Sequence, residues 1–217
     1  MSSMLPDHTR DWPLWARLLH GAIRAYCRFF HRLRAEASTL PETGPALLAA
    51  NHHAGPDPLF LVATNRRLIS FMIAMEYYRV GALTWLYDKA GCVPVKRVRP
   101  TASSLRGVLD RLDQGRVVGI FPEGGIHPPE ERVHPKAGIA MLALESGAPV
   151  FPVHVDGIRQ LPGHDLKTFL RPRRVRVRYG PAVDLEDLRS RYAGDRDRAL
   201  LNEAARRIVD AIYALPR

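Results

Sequence analysis

Short apolar runs alternate along this chain with stretches of helical period, and that alternation limits the fold more than any other feature. The runs are "ALLAA" (46–50), "LISFMIA" (68–74), "CVPV" (92–95), "VVGIF" (117–121) and "PVFPVHV" (149–155). Helical patterns fall between them at 58–66, 82–90, 101–114 and 136–147, with Thr101 after Pro100 as a helix start and Gly115 and Gly147 as stops. Short runs that are apolar throughout suit strands covered on both faces, and strand–helix alternation covers both faces of a largely parallel sheet. The expected fold is therefore α/β, a mostly parallel mixed sheet flanked by helices. "RRVRVRY" (173–179) alternates strictly, which predicts a half-buried strand with basic residues outward. Outward charge is a common protection for an edge strand, so this stretch implies no function. The segment after residue 183 reads as one or two amphipathic helices. No internal repeat or linker is evident, and 217 residues suffice for one well-buried core. The expected division is an amphipathic helical segment over 1–40 and one α/β domain over 41–217.

The first helix is expected over residues 14–34. Trp15, Leu18, Leu19, Ala22, Ile23, Tyr26, Phe29, Phe30 and Leu33 share one face; Arg17, His20, Arg24, Arg28 and His31 share the other. Two arrangements fit: an apolar face packed on the core, or an aromatic face entering a bilayer while the arginines meet anionic headgroups. They can hold for different parts of the helix. The whole chain carries 32 Lys+Arg against 22 Asp+Glu, a formal charge of +10, which favours an anionic partner. Cys27 and Cys92 form no disulfide framework and match no metal spacing, as expected of free thiols in a reducing compartment. No apolar run approaches the ~18 residues of a membrane span, and the first residues lack the order of a secretory signal. The expected location is cytoplasmic, with peripheral attachment to the inner face of the cell membrane.

Ligands of α/β sheets bind beyond the carboxyl ends of the strands, so the turns there are the places to look for chemistry. "NHHAGPD" follows the first strand and holds His52 and Asp57. Taken singly, Asp57 before Pro58 reads as a helix N-cap and His52 as a core histidine. Taken together, a short turn folds the carboxylate back to the imidazole, fixing its tautomer and raising the basicity of the other nitrogen. "VKR" places Lys96 and Arg97 at a strand end, where both can meet a phosphate. "FPEGG" places Glu123 where it can accept from hydroxyls, in a turn that Gly124 and Gly125 leave open. Lys136 opens the next helix, where a cation opposes the helix dipole and so has another reason to be there.

These blocks, in this order, resemble the glycerolipid acyltransferases typified by 1-acylglycerol-3-phosphate acyltransferase. "NHHAGPD" resembles the family's Asn-His-x4-Asp block. "GCVPVKR" (91–97) resembles the second, "FPEGG" (121–125) the third, and "VFPVHVDG" (150–157), centred on Pro152, the fourth. The resemblance covers about 45–185. It implies His52 as general base, Asp57 as its partner, and Arg97, Glu123 and Gly124 at the acceptor. It implies direct transfer from an acyl-CoA or acyl carrier protein thioester to a lipid hydroxyl, with no covalent acyl-enzyme, no metal and no cofactor besides the donor substrate. In the third block the family continues with Ser or Thr and then often a basic residue. Here Gly125 and Ile126 stand there, so a hydroxyl is lost, and a non-phosphate lipid acceptor of ornithine-lipid or glycolipid type stays open beside a lysophospholipid or glycerol-phosphate-type one.

Four rival readings are weaker. "HHAGPD" also fits the His-His-x3-Asp pattern of peptide-synthetase condensation domains, with His53 acting. Those proteins are two-lobed and about twice as long, place Gly after the Asp, and lack "FPEG". A non-catalytic module binding anionic membranes explains the charge but leaves the strand-end residues without a role. A metal at His52, His53 and Asp57 needs adjacent histidines to point the same way. Nucleic-acid binding is not expected, since no aromatic–basic recognition motif is present.

Overall fold

The computed structural model of the protein describes residues 4–96, 101–131, 134–161, 165–192 and 197–216. In chain order its elements are α1 (Leu14–Ala25), β1 (Arg34–Ala35), β2 (Ala46–Ala50), α2 (Asp57–Thr64), β3 (Ile69–Ala74), α3 (Met75–Tyr78), α4 (Ala82–Lys89), β4 (Val93–Val95), α5 (Ala102–Asp113), β5 (Val117–Ile120), α6 (Ala137–Ser146), β6 (Val150–Asp156), α7 (Asp165–Leu170), β7 (Arg176–Tyr179), α8 (Glu186–Arg189) and α9 (Arg198–Ala214). The strands form one sheet in the order β1-β7-β6-β2-β5-β3-β4. β2 pairs in parallel with β5 and β6, and β3 in parallel with β5 and β4. Among the strand pairs of the described residues, only β6–β7 is antiparallel. The expected mostly parallel α/β sheet is present; β2 to β6 and the helices expected between them lie within a residue or two of the predicted ends, and β7 begins three residues after its apolar–basic run does.

β2 is buried along its whole length. Its side chains alternate between two cores, which is why an unbroken apolar run was needed. Leu47 and Ala49 join Leu112, Leu142, Leu201 and Ile208 under α5, α6 and α9. Ala46, Leu48 and Ala50 join Phe60, Phe71 and Phe151 on the other face. Thr101 caps α5 by accepting from the Ser104 amide, and Gly147 ends α6 at φ +65°, a left-handed value that glycine adopts without strain. β7 alternates as expected, with Val177 and Tyr179 buried and Arg176 exposed. It is not an edge strand, however: β1 pairs outside it. A strand of two residues carries no periodicity, so the sequence could not announce it.

The first helix departs from expectation in length and in what it buries. α1 ends at Ala25, a π turn spans Tyr26–Phe30, and Arg32 takes φ +47°. Ala16, His20 and Cys27 are the buried residues of this stretch, and His31 beyond it is fully enclosed. The expected polar face therefore contributes two histidines to the interior. His20 Nε2 lies 3.0 Å from the Val62 carbonyl, and His31 Nε2 lies 2.8 Å from the Tyr26 hydroxyl. Leu14, Trp15, Leu18, Leu19 and Phe29 are exposed instead. Ile23, Tyr26 and Phe30 are half-buried, so both expected arrangements occur, in different parts of the stretch. No helix among the described residues is long and apolar enough to cross a membrane.

Burial pushes both His20 and His31 below the ordinary histidine value of 6.5; backbone carbonyl contacts offset part of that shift. A group whose folded pKa is depressed takes its proton more readily when unfolded, so stability falls as pH drops below 6.5. The slope is at most about 1.4 kcal/mol per pH unit for each histidine. Urea midpoints measured from pH 7.5 to 5.5, above the carboxylate range, are expected to fall below pH 6.5. They should fall less steeply in a His20→Gln, His31→Phe variant; equal slopes would reject this account.

Candidate functional site

The parallel strands β2 to β6 all point their carboxyl ends to one edge of the sheet, and the turns leaving them meet there. His52 follows β2, and Asp57 begins α2. His52 Nδ1 lies 3.0 Å from Asp57 Oδ2. The same oxygen accepts from the amides of His53 and Ala54, both at 2.8 Å. Asp57 thus caps the turn before it, and its side chain makes no cap to the helix it begins. An oxygen that already receives two amide donors favours a third, so in the neutral ring the proton belongs on His52 Nδ1 and the lone pair on Nε2.

Packing holds the imidazole in place. It stacks on Phe121 with centroids 4.1 Å apart and planes 20° apart, and Phe121 stacks in turn on Phe71 at 6.0 Å. A Cβ at Gly119 would lie 2.4 Å from the Phe71 ring, so this stack requires glycine in the middle of β5. The turn is also tied from neighbouring loops. His127 N–H donates to the His52 carbonyl at 2.9 Å, and Gln160 N–H donates to the His53 carbonyl at 2.7 Å. Asn51 bonds both the N–H and the carbonyl of Val155, joining the end of β2 to β6.

His52 lines a cavity of about 720 Å³ whose walls are nearly all apolar. Leu59 and Val62 of α2, Ile69 of β3 and Leu86 of α4 contribute to the walls, and the cavity extends to Leu5 and Trp12 of the N-terminal segment. Lys96, Gly124, Gly125 and Lys136 line the same cavity, so the structure brings these expected residues together with His52. Gly124 takes φ +70°, and a Cβ there would lie 2.4 Å from Lys136 Nζ; the lysine stem runs directly over this glycine. Arg97 lies outside the described residues.

Asp57 and Glu123 stand behind the cavity wall. Asp57 is fully buried, and Glu123 is only 4% exposed. Glu123 Oε2 accepts the His52 backbone N–H at 2.9 Å, and Oε1 accepts from the Tyr213 hydroxyl. Its carboxylate is thus turned toward the protein, away from where the sequence reading had it meet acceptor hydroxyls. His53 is buried, with Nδ1 2.9 Å from the His127 carbonyl, which leaves the turn holding one cavity-facing histidine. No group of three metal-ligating side chains occurs among the described residues. His127, Gln160 and Tyr213 were not legible as site residues. Each reaches the turn across a long sequence separation and carries no motif.

A family model described as Acyltransferase matches residues 32–156. The 1-acyl-sn-glycerol-3-phosphate acyltransferase of Streptococcus pneumoniae is 26% identical over 147 residues, covering 66% of this chain and 52% of that protein. The enzyme of the same name from Bacillus subtilis is 26% identical over 140 residues, covering 64% of this chain and 65% of that protein. The matches span between 42% and 65% of the length of the curated relatives. The crystal structure of the 1-acyl-sn-glycerophosphate (LPA) acyltransferase PlsC from Thermotoga maritima superposes with a TM-score of 0.65, at 23% identity, covering 94% of this chain and 83% of that one. At that identity the likeness is one of fold.

Proposed function

Since the chain belongs to the acyltransferase family, we propose that it moves a fatty acyl group from acyl-CoA or acyl carrier protein to the hydroxyl of a lysophospholipid or glycerol-phosphate-type acceptor, at the cytoplasmic face of a membrane. One observation carries this reading: an imidazole with Nδ1 fixed by a buried carboxylate at 3.0 Å lines a large apolar cavity. His52 Nε2 takes the proton of the acceptor hydroxyl as its oxygen attacks the thioester carbonyl. Carbon–sulfur cleavage then releases a thiolate, which recovers the proton from the imidazolium. Asp57 steadies the imidazolium between the two transfers, and positioning supplies the rest. The cavity receives the acyl chain. Each methylene leaving water contributes about 0.8 kcal/mol, so chain preference follows cavity depth. Lys96 and Lys136 give this otherwise apolar space two cations for an anionic acceptor.

The exposed apolar residues support a membrane location. The Trp15 and Trp85 rings pack at a tilt of 43° with centroids 4.9 Å apart, and Leu14, Leu18, Leu19, Val80 and Leu83 are exposed beside them on the same helices and turn. Trp15, Leu19, Val80 and Leu83 also line the cavity, so an acyl chain passes between bilayer and cavity along apolar surface. A non-phosphate acceptor is favoured by one feature, the empty side-chain position at Gly125, where a Cβ would meet only His127 Nε2 at 3.5 Å.

A panel of phosphate and non-phosphate lysolipids, tested with both donors and analysed by mass spectrometry, tests the reading. The expected result is an acylated phosphate-bearing lysolipid. Leu18→Glu should slow transfer to an acceptor embedded in anionic vesicles by about tenfold or more, and should leave transfer to a short-chain, water-dispersed acceptor unchanged. A folded protein that acylates nothing in the panel would overturn the assignment.

A further inference from the structure

Tyr213 sits near the end of α9, well beyond the segment that matches the family model. α9 is fixed to the sheet by Leu201, Ala204, Ile208 and Ile212, all buried in the core under α5 and α6. The Tyr213 ring meets buried His154 of β6 edge-on, with centroids 5.9 Å apart. Its hydroxyl donates to Glu123 Oε1, across 90 residues of sequence. The other oxygen of that carboxylate accepts the His52 backbone N–H. β2 ends at Ala50, so the His52 amide lies beyond the strand ladder and depends on Glu123 for its bond.

We propose that Tyr213 is a positioning residue for the reaction. It holds the Glu123 carboxylate in one rotamer, and the carboxylate fixes the His52 main chain at the distance and angle that acyl transfer requires. A misplacement of about 1 Å at a reacting group can cost about 10²-fold in rate, which is the scale such a tether protects. The C-terminal helix then completes the catalytic turn in addition to covering the sheet. The kinetic part of this inference rests on His52 acting as the base; the tether itself does not.

Tyr213→Phe keeps the ring against His154 and removes only the donor. Hydrogen exchange of the His52 amide, followed by NMR, is expected to speed up about tenfold, with the Val118 amide of β5 unchanged. kcat should fall about tenfold with KM for the acyl thioester unchanged. In a Glu123→Ala background, which removes both acceptors, the same substitution should change kcat less than twofold, because its effect passes through that side chain. Unchanged His52 exchange, unchanged kcat, a loss confined to KM, or a full tenfold effect in the Glu123→Ala background would each overturn the proposal. Faster His52 exchange in Tyr213→Phe, beside a wild-type protein that transfers no acyl group, would instead refute the acyltransferase reading and leave the tether standing.

Discussion

His52→Ala is expected to lower kcat by about 10²- to 10⁴-fold, the usual contribution of a general base, in a protein that remains folded. Two structural facts separate this loss from unfolding. Asp57 Oδ2 keeps its bonds to the His53 and Ala54 amides when the imidazole is gone, so the turn stays closed. The His52 side chain packs chiefly on one face of Phe121 and supplies one of three donors to the buried Asp57 Oδ2, so the stability change should stay within about 1–3 kcal/mol. KM for the thioester should change little, because the apolar walls are untouched. His53→Ala is the contrasting variant. It removes the bond to the His127 carbonyl from a buried side chain and is expected to cost about 1–3 kcal/mol of stability. The fraction that folds should still transfer acyl groups. Steady-state kinetics beside thermal melts read both variants, and the opposite pattern, with His53 essential and His52 dispensable, would move the chemistry to the second histidine.

What the sequence made legible was local. His52 and Asp57 are five positions apart, and a turn closed by proline at the head of a helix leaves few ways to arrange them, so their contact could be read before any coordinates. The buried strands were legible for the same reason: an unbroken apolar run such as "ALLAA" needs cover on both faces, and β2 has it. Glu123 was legible as part of a motif, but the direction of its carboxylate was not. That direction depends on Tyr213, 90 residues away on a helix whose periodicity says only that one face is apolar. The first helix shows a related limit. Its periodicity located the apolar stripe but could not say what covers it, and Leu14, Leu18 and Phe29 lie in the open while His20 and His31 are enclosed. Burying neutral histidines with hydrogen-bond partners is inexpensive, and apolar side chains commonly remain on protein surfaces.

Asp57→Asn is expected to reduce kcat by about 10³- to 10⁴-fold, the scale seen when an amide replaces the carboxylate behind a catalytic imidazole. Oδ2 serves three donors, while Oδ1 is buried with no hydrogen-bond partner among the described residues. An asparagine that puts its carbonyl oxygen in the place of Oδ2 keeps the three bonds. It then leaves an NH₂ unpaired where Oδ1 stood, and the imidazolium forms with no negative charge behind it. The reverse rotamer points NH₂ at the two turn amides and forces His52 Nδ1 to accept, which moves the ring proton to Nε2 and blocks the base. Neither rotamer supports catalysis, but the first preserves the turn, so the variant should melt within about 1–3 kcal/mol of the parent. Asp57→Ala removes the acceptor from the His53 and Ala54 amides as well and should be the less stable of the two, with a similar loss of activity. The comparison isolates the charge from the scaffold. An Asp57→Asn protein with kcat within tenfold of the parent would show that the carboxylate holds the turn and contributes little to the proton transfer.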